Sequence, residues 1–95
     1  MQLVTTGIAG TMESGDILIE IADKGSPGVE IELKSTVSNQ YGRQIKAVIR
    51  ETIATCNLTG VHVKAVDKGS LDCTIRARVT AAAYRGAKYD AYEWE

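Results

Sequence analysis

Ninety-five residues make one domain, long enough to bury a core without disulfides or a structural metal. With 44% hydrophobic and 24% charged residues, the composition excludes a disordered chain. A net charge of −1 excludes a general nucleic-acid binder, which carries a clear basic excess.

The charge is unevenly placed. Residues 1–32 hold six acids against the single base Lys24, and residues 33–88 hold ten bases against three acids. The pattern fits a polar binding face or two oppositely charged strands lying side by side, and the second is expected. The opening MQLVTTGIAG has neither the basic start nor the apolar run of a signal peptide, and no stretch is long enough to span a membrane. A cytoplasmic location is expected. Cys56 and Cys73 lie far apart with no metal-type spacing, which predicts two reduced, buried thiols.

Residues 1–15 read as an exposed N-terminal segment. Ile17, Ile19 and Ile21 then alternate with Leu18, Glu20 and Ala22, a strand with one apolar face. Asp23 to Gly28 is a turn by composition. Val29, Ile31 and Leu33 alternate with Glu30, Glu32 and Lys34, so the two strands predict a hairpin. The period then changes. Val37, Tyr41, Ile45, Val48, Ile49, Thr52, Ile53 and Cys56 recur three or four apart, as in an amphipathic helix of four or five turns. Ser38 fits its N-cap and Asn57 to Gly60 its stop.

Val61, Val63 and Ala65 form a third alternating run. Asp67-Lys68-Gly69-Ser70 reads as a turn, and Leu71, Cys73, Ile75, Ala77 and Val79 as a fourth strand. TAAAYRGA, residues 80–87, predicts a short helix, and residues 89–95 a tail. The expected fold is a two-layer α+β domain: a four-stranded, largely antiparallel sheet in ββαββ order, covered on one face by one long helix.

Catalytic constellations are missing. His62 is the only histidine and is predicted on the polar side of a strand. Nothing predicts a metal site. Glycines 7, 10 and 15 lack the ending of a phosphate loop, and a strand follows where a helix should. Ser14, in Glu13-Ser14-Gly15-Asp16, has the composition of a turn. Gly15 leaves room beside its hydroxyl, and no base of this chain is placed to activate it. If Ser14 reacts, another protein must activate it.

The segment IAGTMESGDILIEI, with STVSNQYGRQI at the helix entry, GVHVKAVDKGSLDCTIRARV and the terminal Trp94-Glu95, resembles the citrate lyase acyl carrier protein, the γ chain of bacterial citrate lyase. Met12 stands where leucine is common in that family. The resemblance implies one acyl-carrier domain over residues 1–95, with no active site of its own. It implies that Ser14 carries 2′-(5″-phosphoribosyl)-3′-dephospho-CoA through a phosphodiester bond. The arm would present acetyl and citryl thioesters to the α subunit, an acyl transferase, and the β subunit, a citryl lyase, while citrate is cleaved to acetate and oxaloacetate. Further implied partners are the transferase that installs the arm and the ligase that acts on its thiol. No nucleic acid or membrane is implied. Glu13, Gly15 and Asp16 fit recognition by the transferase; Glu13 and Asp16 equally fit charges that keep the loop solvated. Arg76 and Arg78 fit either contacts to the arm's phosphates or cross-strand pairs with Glu20, Glu30 or Glu32. Tyr89, Tyr92 and Trp94 fit a docking anchor or a frayed terminus. The rival readings are the carrier subunit of malonate decarboxylase, which shares the Ser-Gly-Asp setting, and an unmodified small protein-interaction domain.

Overall fold

The computed structural model describes residues 2–35 and 39–88. The elements run β1 (Gly7–Ala9), β2 (Ile17–Asp23), β3 (Val29–Ser35), α1 (Asn39–Thr55), β4 (Val61–Asp67) and α2 (Asp72–Ala87). The class is α+β, and the four strands form one sheet in the order β1-β2-β4-β3.

That order corrects the expected hairpin. β2 and β3 are joined by a short turn yet do not pair, because β4 lies between them. β4 runs antiparallel to β2 and parallel to β3, so the sheet is mixed. The 24–28 turn opens to admit it: the amides of Gly60 and Val61 donate to the Gly28 carbonyl, and the Lys24 amide donates to that of Gly60.

The second hairpin is also absent. Residues 72–87 form one helix, α2, so the fourth strand and the short helix of the sequence reading are a single element. Ile75 and Val79 are one helical turn apart and fully buried, as are Ala82 and Ala83, whereas Leu71, Cys73 and Ala77 are exposed. The fourth strand is instead β1, from the segment expected to be exposed: Gly7 and Ala9 are buried, and β1 pairs antiparallel with β2.

Two helices therefore cover the sheet. α2 lies over β1 and β2, and α1 packs on α2 and β3. Their shared core joins Ile17, Ile19 and Ile21 of β2 to Val61, Val63 and Ala65 of β4, and adds Ile45, Val48, Ile49 and Ile53 of α1. Each such side chain contributes about 1.5–3 kcal/mol when fully buried. Tyr41, placed by periodicity on the apolar stripe, is 63% exposed. α1 stops as expected: Asn57 takes a left-handed conformation, its amide donates to the Ala54 carbonyl, and the Leu58 amide donates to that of Ile53. Val37 and Ser38 lie outside the described residues.

The other sheet face is open. There Lys64 of β4 stands between Glu20 of β2 and Glu32 of β3, the side-by-side opposite charges anticipated from the sequence. His62 lies on the same face, with Nδ1 3.0 Å from the Glu30 carboxylate and Nε2 3.7 Å from that of Glu32.

Candidate functional site

Strand register fixes where the site lies. Ile17, Asp67 and Ser35 form a row at one end of the sheet. Immediately beyond that row are the loop before β2, which holds Ser14, and the 68–71 turn before α2. Chain direction places the starts of both helices at the same end, linked by a hydrogen bond from Gln44 Nε2 to Asp72 Oδ2 of 3.2 Å.

Ser14 occupies the corner of a β-turn. The Asp16 amide donates to the Glu13 carbonyl at 3.0 Å, which makes Ser14 and Gly15 the two central residues. Gly15 has φ +86°, the value a type II turn demands at its third position and one that only glycine adopts without strain. A side chain built at Gly15 would meet nothing within 4 Å. Gly15 therefore serves the turn's shape and keeps the surroundings of the serine clear. Met12 to Gly15 are all exposed, and among the described residues none hydrogen-bonds the Ser14 hydroxyl.

The loop is cross-tied to its surroundings. Gly15 N–H donates to the Lys68 carbonyl at 2.6 Å, and Lys68 N–H returns a bond to the Asp16 carbonyl at 2.9 Å. The 68–71 turn is anchored by Asp67, which is 1% exposed. Its carboxylate accepts from the Ser35 hydroxyl, the amides of Gly69 and Ser70, and the Ser70 hydroxyl. Burial alone would raise this carboxyl, but these donors, Ser70 foremost, outweigh it and hold the carboxyl below the usual range.

Asp16 is turned inward. Its carboxylate accepts five hydrogen bonds: from the Ile17 amide at 2.7 Å, the Thr11 amide at 3.1 Å, the Thr11 hydroxyl at 2.7 Å, and Arg78 Nε and Nη2 at 3.0 Å each. The Thr11 hydroxyl in turn accepts from the Glu13 amide at 3.2 Å. The Arg78 guanidinium first, and then the Thr11 hydroxyl, hold the Asp16 carboxyl well below the usual carboxylate range.

Neither arginine makes the cross-strand pairs anticipated from the sequence, because both sit on α2 rather than on a strand. Arg76 faces Glu51 of α1 at 3.2 Å, and Arg78 grips Asp16. The cysteines depart from the expected burial: Cys56 is half-buried, its thiol pushed up chiefly by desolvation, and Cys73 is exposed. Among the described residues, no cluster of three or more histidine, cysteine or carboxylate side chains could hold a metal ion. Nor is any described helix long and apolar enough to cross a membrane. A shallow hollow lined by Leu3, Asp23, Ser26, Pro27, Thr59 and Val61 lies at the opposite end of the sheet from Ser14. The aromatic tail, Tyr89 to Glu95, is outside the described residues.

Curated relatives resemble the chain over nearly its whole length. Citrate lyase acyl carrier protein of Streptococcus uberis is 46% identical over 95 residues, which span the whole chain and 93% of the relative. That of Latilactobacillus sakei is also 46% identical with the same coverage. That of Lactobacillus acidophilus is 51% identical over 88 residues, 93% of the chain and 90% of the relative. The chain belongs to the citrate lyase acyl carrier protein family. It is accordingly an acyl carrier, the non-catalytic kind of subunit that these names describe. The family model described as malonate decarboxylase delta subunit (MdcD) matches residues 4–86. The likeness to that second carrier is thus far wider than the Ser-Gly-Asp motif on which the sequence reading placed it.

Proposed function

We propose that Ser14 is the covalent root of 2′-(5″-phosphoribosyl)-3′-dephospho-CoA, and that this cytoplasmic carrier serves the acyl-transferase α and citryl-lyase β subunits of citrate lyase. The observation that carries this reading is the placement of Ser14. Its hydroxyl stands at the exposed corner of a braced turn, beside a glycine with open space where a side chain would point. Such a corner fits a large covalent group, because among the described residues nothing stands within 4 Å of a side chain built at Gly15. The starts of both helices face this end of the sheet, where helix dipoles favour a phosphodiester's negative charge.

When attached, the arm supplies a terminal thiol on which acyl groups travel between partner sites at high effective concentration. This chain's residues supply the root and its presentation. Attachment forms the Ser14 Oγ–P bond and breaks the bond from that phosphorus to the leaving group of an activated donor. The hydroxyl proton passes to a base of the transferase. His62 is engaged with Glu30 on the open sheet face, and Asp16 is fully occupied. Glu13 and Gly15 flank the hydroxyl and are the residues we assign to direct transferase contact. The ligase acts later, on the arm's thiol.

Intact mass and peptide mapping of the protein from its native host, grown on citrate, test the reading. The expected result is an added phosphoribosyl-dephospho-CoA mass on the peptide containing Ser14. Ser14→Ala should abolish that gain and reduce citrate cleavage with purified α and β subunits to background. Its folding stability should change by less than about 0.5 kcal/mol, as for most surface substitutions. An unmodified serine in an active complex overturns the assignment.

The family model matched over residues 4–86 favours one second reading, the carrier of malonate decarboxylase. Reconstitution separates the two: the loaded chain restores citrate cleavage to citrate lyase subunits or malonate decarboxylation to the other set.

A further inference from the structure

Arg78 lies 62 residues from Asp16 in sequence and reaches it from the second turn of α2 with Nε and Nη2 together. Other contacts hold α2 to the sheet. Ile75 and Val79, on either side of Arg78 along the helix, are fully buried and pack α2 on the sheet. The Arg78 side chain remains 40% exposed and touches the loop from outside the core. What the contact does hold is the loop. Through Asp16 it is connected to the Thr11 amide and hydroxyl, and through that hydroxyl to the amide of Glu13, the residue before Ser14. Among the described residues Arg78 is the only charged partner of the side-chain clasp between the two ends of the loop.

We infer that Arg78 is a positioning residue for loading the carrier: by gripping Asp16 it keeps the Thr11–Asp16 clasp closed and sets the Ser14–Gly15 corner that the transferase engages. The inference rests on the reading of Ser14 as the attachment site. Asp16 then acts by shaping the loop from within, and recognition at the surface falls to its neighbours. Small displacements of a reacting group are costly, since about 1 Å of misplacement can cost on the order of a hundredfold in rate.

The test follows the rate of mass gain on the Ser14 peptide with the prosthetic-group transferase and its activated phosphoribosyl-dephospho-CoA donor. Wild type, Arg78→Met, Arg78→Lys, Asp16→Asn and the double variant Asp16→Asn/Arg78→Met are compared, with Arg76→Met as a control on the same helix. The expected result is a fall of about tenfold to a hundredfold in kcat/KM for loading of Arg78→Met. Asp16→Asn should match it, the double variant should be no worse than either single one, and Arg78→Lys should recover part of the loss. Arg76→Met should load like wild type. Amide hydrogen exchange supplies the second readout: the Thr11 and Ile17 amides, which donate to Asp16, should exchange faster in Arg78→Met, while those of β4 and of β2 beyond Ile17 keep their protection.

Wild-type loading of folded Arg78→Met overturns the inference and leaves the Ser14 assignment standing. Slow loading of Arg78→Met with normal loading of Asp16→Asn also overturns it, because Arg78 then acts on the partner directly. So does loss of exchange protection throughout the sheet, which would assign Arg78 to global stability. A wild-type chain that gains no mass at Ser14 overturns the Ser14 assignment itself, and every variant then looks alike.

Discussion

A carboxylate two residues from the exposed Ser14 hydroxyl could act as a base, a ligand or a brace, and five donors make Asp16 a brace. Its proton affinity has a consequence. The folded carboxyl lies below the ordinary value of about 3.9 that the unfolded chain retains. The unfolded state therefore binds the proton first, and stability falls as acid is added. The contribution of Asp16 is fully present above pH about 4 and is lost as pH drops through the folded value. A carboxyl NMR titration should show Asp16 still ionised when ordinary aspartates are half-protonated. In Arg78→Met its midpoint should move up toward about 3.9; an unmoved midpoint would mean that Arg78 contributes nothing to it. The sequence singled out Ser14 through its family setting, and the structure places it at an exposed turn corner. The partnership of Asp16 with Arg78 was not legible, because residue 78 was placed on a strand and only the true helix brings it to the loop.

Between elements, β1 and α2 approach closely at a pair of glycines. A side chain at Gly7 would run into the Ala82 carbonyl, and one at Gly86 would stand 3.1 Å from the Gly7 amide. The backbones also bond directly: the Val4 and Thr5 amides donate to the Gly86 carbonyl, and Arg85 Nη1 donates to that of Ile8 at 2.9 Å. Gly7→Ala must push strand from helix and should destabilise by at least about 2 kcal/mol in urea unfolding, with overpacking the cause. Gly15→Ala meets no neighbour and pays only for its left-handed backbone, about 1 kcal/mol; equal losses at the two sites would show that the contact is slack. The same two elements are what sequence periodicity missed. β1 is three residues long, too short for an alternation to register. Residues 71–86 carry two overlapping periods: Leu71, Cys73, Ile75, Ala77 and Val79 alternate, while Ile75, Val79, Ala82 and Gly86 follow a helical spacing. The alanine-rich continuation, with its high helix propensity, decides the outcome by extending the helix back to Asp72. β2, β3, β4 and α1 were legible because each carries one period alone.

At the scale of the whole molecule, Asp67 ties the pieces together. It ends β4, receives the Ser35 hydroxyl from β3, and fixes the turn whose Lys68 backbone holds the Ser14 loop. Asp67→Ala would leave two hydroxyls and two amides at that end without their acceptor, and should cost about 2–4 kcal/mol. Thermal unfolding measures this; a change under about 0.5 kcal/mol would show that water replaces the carboxylate freely. Strand order was not written in the local pattern, since β2 and β3 alternate equally well as partners or as neighbours once removed. Only the arrival of β4 decides between them. That order of events reaches back to the ribosome, which makes a chain from its N-terminus. Ser14 emerges among the first residues, but Lys68 and Arg78, which hold its loop, come more than fifty residues later. A growing or truncated chain thus displays the serine without the shape around it, and the proposed loading at Ser14, by depending on that shape, would select finished carriers over fragments.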